Sequence, residues 1–233
     1  MVIKSEMTKD EIKNLKRKII LRLSLLPFFL GLFIIFPAGT FNYWQVYVYI
    51  SFLIIPIIFV LFYFLKNDPQ LLERRIKTKE KEKAQRIIQI IFLLFFLSSF
   101  IISGLDRRYG WSNISLCGIL SANLISLFGY LVVFFVFKQN SYASRIVEVN
   151  KGQTVISNGL YSIVRHPMYV GIIIMWLPIP IALGSFLGLI PMATIPFAIV
   201  LRILNEESVL IKELPGYKEY CRKTKYRLIP FIW

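Results

Sequence analysis

Two short runs place ionisable side chains against hydrocarbon: VRHPMY at 164–169 and RILNEE at 202–207. The first holds the chain's one histidine, His166, between Arg165 and Pro167. The second sets Arg202 and Glu206 four residues apart, so they share a helical face, with Glu207 alongside. Charged groups next to lipid are costly, and both ends of one apolar stretch carrying them marks a polar site. Arginine forks suit a carboxylate or phosphate, and the rings and hydroxyls of Tyr161 and Tyr169 suit a planar ligand. Gly159 and Gly171 allow close backbone approach beside them. The same residues taken singly also read as an intrahelical ion pair with Arg165 and His166 at a membrane boundary.

The elements that must position these groups are membrane spans. Hydrophobic residues make up 56% of the 233-residue chain, and the mean hydropathy is +0.62. Apolar runs at about 23–39, 46–65, 87–104 and 114–137 match a hydrocarbon core of roughly 30 Å at helical rise. A further stretch, 170–201, is uncharged throughout. As one span it would carry the basic tail across the membrane. As a hairpin turning near Gly184-Ser185 it returns the tail and brings RILNEE back to VRHPMY. The hairpin is therefore expected, with arms of roughly 14–16 residues, slightly short of a full span. Pro178, Pro180, Pro191 and Pro196 kink those arms where backbone faces protein or a cavity.

The formal charge of +15 follows topology rather than nucleic-acid binding. With alternating spans and a cytoplasmic amino terminus, every Lys and Arg except Arg107 and Arg108 falls on the inner side. Both termini are then cytoplasmic, and Tyr43, Trp44, Tyr47, Tyr109 and Trp111 form an aromatic belt at the outer interface. The expected fold is an all-α, multi-pass transmembrane bundle of about four spans plus a Pro-kinked hairpin. It divides into a basic tail (1–18, a short helix on the membrane surface), a four-span scaffold (19–137) and a core (138–233). Asp68 and Pro69 start a helix in the 66–86 loop, and KTKEKEKAQ after it reads as a solvated helical face. No cleavable leader is expected, nor a disulfide between Cys117 and Cys221. The composition also suits a bacterial inner membrane.

QTVISNGLYSIVRHPMYVG (153–171), then RILNEESVLIKELPGYKEYCRKTKYRLIP (202–230), resembles the carboxyl-terminal core of the isoprenylcysteine carboxyl methyltransferases and their bacterial relatives. DPQLLERR (68–75) and GLDRRYGWS (104–112) extend the likeness more loosely. The resemblance implies S-adenosylmethionine as cofactor, contacted by Gln153, Thr154, Val155 and Ile156, by Tyr161, Arg165, His166, Pro167, Met168 and Tyr169, and by Glu206 and Glu207. It implies Arg202 facing the methyl acceptor, Glu206 at the cofactor's ammonium, and no metal. The acceptor is expected to be a lipophile entering from the bilayer, with a carboxylate such as that of a prenylated cysteine. In-line methyl transfer to a carboxylate needs alignment more than a base, so His166 is expected to position rather than to take a proton. An amine acceptor would need Glu206, Glu207 or His166 as base, which is the phospholipid N-methyltransferase alternative. A transporter and a sterol-type reductase are the remoter readings. Charges at one face of the membrane argue against the first, and the lack of a glycine-rich dinucleotide fingerprint against the second.

Overall fold

The computed structural model describes residues 7–76, 83–146, 149 and 152–233. The segment KTKEKEKAQ falls largely outside them. Among the described residues the chain is helical, without strands. Helix α1 (Lys9–Ala38) starts on a Thr8–Glu11 capping box, in which each side chain accepts the other residue's backbone N–H. It runs unbroken into the apolar segment, so residues 9–18 are the first turns of the first span and no separate surface helix. A π-helical stretch at Gly31–Ile35 interrupts its far end. There Gly104 of a later helix lies so close that a Cβ would meet the Ile34 carbonyl oxygen.

Helix α2 (Trp44–Asn67) is followed by the short α3 (Pro69–Ile76), whose start is held by Asp68 accepting from the Leu71 N–H. Helices α4 (Lys83–Tyr109) and α5 (Leu116–Gln139) complete the four expected spans. Large apolar side chains such as Phe62, Leu94, Phe128 and Phe197 point outward, as lipid-facing helices require. Of the aromatic belt, Trp44, Tyr47, Tyr109 and Trp111 are exposed, but Tyr43 is buried. Its hydroxyl donates to the carbonyls of Leu183 and Ser103, so it fastens the hairpin tip instead of facing a headgroup.

After the four-residue α6 (Leu160–Ile163) comes the hairpin. Its first arm, α7 (Pro167–Ala182), is short and breaks near Pro178, as the sequence leads one to expect. The turn lies at Gly184, whose φ of +82° favours glycine. The second arm, α8 (Leu189–Glu213), differs from expectation: with 25 residues it is long and apolar enough to cross a membrane, giving five such helices among the described residues. The helix does not stop at 201. Arg202, Glu206 and Glu207 are its continuing turns.

Helix α7 packs chiefly on α5, and the contact is tight because two glycines face each other. A Cβ on Gly129 would sit 2.4 Å from the Met175 nitrogen, and one on Gly171 would sit 2.8 Å from Val133 Cγ2. At the tip, Ser185 Oγ donates to the buried Asp106 carboxylate, which also accepts from the Ser112 hydroxyl and N–H. The chain ends with α9 (Tyr217–Lys223) and a tail that returns to the hairpin's start. There the N–H groups of Arg165 and His166 donate to the carbonyls of Tyr226 and Arg227 at 2.9 and 3.0 Å.

Candidate active site

A cleft with an empty volume of about 820 Å³, its open mouth included, lies where α6, the start of α7, α8 and α9 meet the loop after α5. Gln153, Thr154, Val155 and Ile156 form one edge of it, outside any helix. Tyr161, Arg165, His166, Met168, Tyr169 and Glu206 also line it, so ten of the twelve expected cofactor residues do. Pro167 and Glu207 stand outside the lining. Pro167 opens α7 at its first turn, where the absent N–H costs nothing.

Glu207 is the anchor beneath the cleft. Its side chain is 5% exposed, and its Oε1 lies 3.1 Å from His166 Nε2 and 3.1 Å from Arg165 Nε, while Oε2 accepts from Arg227 Nε at 2.8 Å. The Arg165 N–H does not point at the oxygen, so that buried donor forms a charge contact without a hydrogen bond. A buried carboxylate among two guanidiniums and an imidazole is well compensated, and the cluster holds α7, α8 and the tail in register.

Glu206 behaves differently. Its Oε2 accepts from the Tyr169 hydroxyl at 2.5 Å, and the same hydroxyl accepts from Arg202 Nε at 2.8 Å. Arg202 also donates to Gln85 Oε1 at 3.0 Å and to the Arg145 carbonyl at 2.7 Å. It lies outside the cleft lining, across Tyr169 from it. Arg202 and Glu206, one helical turn apart, are therefore joined through a tyrosine from the other arm.

Tyrosines also contribute to the wall, beside apolar residues such as Ile146, Leu210 and Leu214. Tyr161 Oη accepts from Asn140 at 2.8 Å, and burial pushes its pKa up to about 12 despite that bond. Tyr220 donates to the Tyr161 carbonyl at 2.7 Å. Tyr217 is 4% exposed, and its buried hydroxyl has no hydrogen-bond partner among the described residues. Burial first, then the nearby Glu207, pushes that hydroxyl well above the usual tyrosine range, so it is a neutral donor facing the cleft.

Both runs that carry the ionisable groups lie on one contiguous stretch of related sequence. Residues 117–215 match the phospholipid methyltransferase family. Over 89 residues the chain is also 35% identical to Protein-S-isoprenylcysteine O-methyltransferase of Schizosaccharomyces pombe (strain 972 / ATCC 24843). That match covers 36% of this chain and 36% of the relative, so only about a third of the relative's length is represented. The resemblance read from the sequence is borne out. The family stretch contains VRHPMY, RILNEE and the Gly129–Gly171 contact, but not Arg75, Gln85, Tyr217, Tyr220 or Arg227. These were missed as site residues because their partners lie far away in sequence; for Tyr217, Tyr220 and Arg227 the signal was present in PGYKEY and KYR of the tail.

Proposed function

We propose that the protein is a membrane methyltransferase that moves a methyl group from S-adenosylmethionine to a carboxylate on a lipophilic acceptor. One observation carries this reading: the Tyr169 hydroxyl touches Glu206 on the cleft side and Arg202 on the other. A donor-side carboxylate and an acceptor-side guanidinium thus meet at one atom.

The cleft residues fit the donor. The unpartnered Tyr217 hydroxyl is a buried polar group that calls for a ligand acceptor. Among the described residues, Thr154, Val155 and Ile156 make no backbone–backbone hydrogen bonds, leaving amide edges for a nucleoside. Glu206 is the carboxylate on the cleft wall and suits an ammonium, while the tyrosine faces suit a sulfonium or a purine. When bound, S-adenosylmethionine supplies a methyl group on a positively charged sulfur. The chain's own part is alignment: Arg202 orients the acceptor by its fork, Tyr169 and Gln85 fix Arg202, and the cleft wall excludes water. His166 presents Nε2 to Glu207, which makes it a support rather than a base.

The family description favours a second reading, with a phospholipid amine as acceptor. A proton must then be removed. Glu207 is occupied by three partners and His166 by Glu207, which leaves Glu206 for that work. In either reading the donor enters from the cytoplasmic side of a bacterial inner membrane, both termini lie there, and the acceptor enters laterally. Calorimetry in detergent should register S-adenosylhomocysteine, and radiolabelled methyl should appear in a base-labile ester of the lipid or protein extract. Absence of both from a folded sample overturns the reading; label in a base-stable amine moves it to the second one.

A further inference from the structure

A second, smaller pocket lies between α2, α5 and α7, within the apolar spans and apart from the cleft. Its empty volume is about 220 Å³, its opening included, and about 10 Å³ of that admits the centre of a water-sized molecule. Tyr49 comes to it from α2, Asn123, Ser126 and Tyr130 from α5, and Met175 from α7. Met175 stands six residues beyond Tyr169, roughly 9 Å at helical rise. None of the lining residues is charged.

Asn123 and Ser126 are one turn apart on the same face of α5, and they are 0% and 4% exposed. Asn123 Nδ2 donates to the Ile119 carbonyl at 2.8 Å, which fixes the amide, because the opposite flip would set two oxygens together. Its Oδ1 then has no donor among the described residues, and Ser126 Oγ has no partner among them. Other serines in the spans are satisfied. Ser51 and Ser103 donate to the carbonyl four residues back, and Ser99 donates to that of Gly188. Hydrocarbon offers an unmet polar group nothing, so two of them on one pocket wall call for a guest. Nor can α5 and α7 close the gap by moving together. One turn beyond Ser126, a Cβ on Gly129 would sit 2.4 Å from the Met175 nitrogen, so the two backbones are already in contact.

The unmet groups specify the guest. An amide oxygen only accepts, so the guest must donate, while the Ser126 hydroxyl both donates and accepts. A charged donor would have no counter-ion on this lining. We propose that the pocket is a binding site for one neutral hydroxyl group, held by Asn123 Oδ1 and Ser126 Oγ. Water and an alcohol-headed lipophile from the bilayer share that chemistry, and the room is close to that of one oxygen. The site does not depend on methyl transfer being the activity.

The full chain, with labelled asparagine, is placed in phosphatidylcholine nanodiscs, and magnetisation transfer to the Asn123 side chain is followed by solid-state NMR. The Asn123 signal is the one that Asn123→Leu removes. Wild type should receive transfer from water or, once oleyl alcohol is added, from the alcohol's hydroxyl. Ser126→Ala should cut that transfer at least about threefold, since one of two anchors is gone, while the other asparagine signals stay in place. Oleyl methyl ether, which cannot donate to Oδ1, should leave the Asn123 signal unmoved. Water transfer that persists in the presence of the alcohol identifies the guest as water; replacement of it by transfer from the alcohol identifies a lipid hydroxyl. Transfer from neither overturns the proposal, because Asn123 and Ser126 are then satisfied within the protein. An ether that acts as strongly as the alcohol, or a Ser126→Ala protein with undiminished transfer, overturns it as well.

Discussion

The two ends of the hairpin both bury carboxylates, and they treat them in opposite ways. At the tip, Asp106 is 1% exposed and accepts from Ser112 N–H, Ser112 Oγ and Ser185 Oγ, all neutral donors from the segments that meet there. Tyr43 and Ser99 add bonds to the Leu183 and Gly188 carbonyls. At the other end Glu207 is saturated by cations, but its neighbour Glu206 faces a cleft beside an unpartnered tyrosine hydroxyl. Closed hydrogen-bond accounts hold a shape, whereas open ones hold room for a ligand. Burial alone does not separate a structural carboxylate from a functional one; the count of its partners does.

Substitutions test this contrast in order of expected size. Glu207→Ala strands Arg165, His166 and Arg227 without their anion. It should cost about 3–5 kcal/mol, read as a large fall in unfolding temperature in detergent together with loss of ligand binding. Asp106→Ala should cost about 2–4 kcal/mol of stability, since it removes three bonds to a charged acceptor. Its S-adenosylhomocysteine affinity, measured by calorimetry on the folded fraction, should stay near that of wild type. Glu206→Gln should do the reverse: affinity falls about tenfold or more, while the unfolding temperature hardly moves. Smallest is Tyr217→Phe. Removing an unpaired buried hydroxyl should leave stability equal or slightly higher, yet lower cofactor affinity about three- to tenfold. A tip variant that weakened binding as much as Glu206→Gln, or a Tyr217→Phe protein that only lost stability, would break the comparison.

Much of this was legible in the chain itself. Four spans follow from run length, and the hairpin follows from the charge that a straight crossing would strand outside. The convergence of VRHPMY and RILNEE is a direct consequence of that fold-back. The length of the second arm was not legible, because Arg202, Glu206 and Glu207 end the apolar run without ending the helix; their charges are met by other elements, so nothing forces the backbone to stop. The split between Glu206 and Glu207 was equally hidden. Adjacent residues on a helix diverge by about 100°, and which of them meets Arg227 depends on a tail folding back from twenty residues away. Arg75 sits in the helix that Asp68 and Pro69 start and Gln85 ends a stretch that reads as a solvated helical face, and only the third dimension sets them against Ser144 and Arg202.

The unequal arms carry one more consequence, which concerns the membrane. The first arm, about 16 residues, rises roughly 24 Å, against roughly 30 Å of hydrocarbon. The second arm has no such deficit. Around the first arm the bilayer must therefore thin, or the cleft end must lie below the headgroup plane, where the proposed acceptor's reactive end would arrive without leaving the lipid. Gly129 and Gly171 leave no slack for α7 to rock, so on the proposed methyl transfer acyl-chain length would control turnover, and thin bilayers should support it better than thick ones.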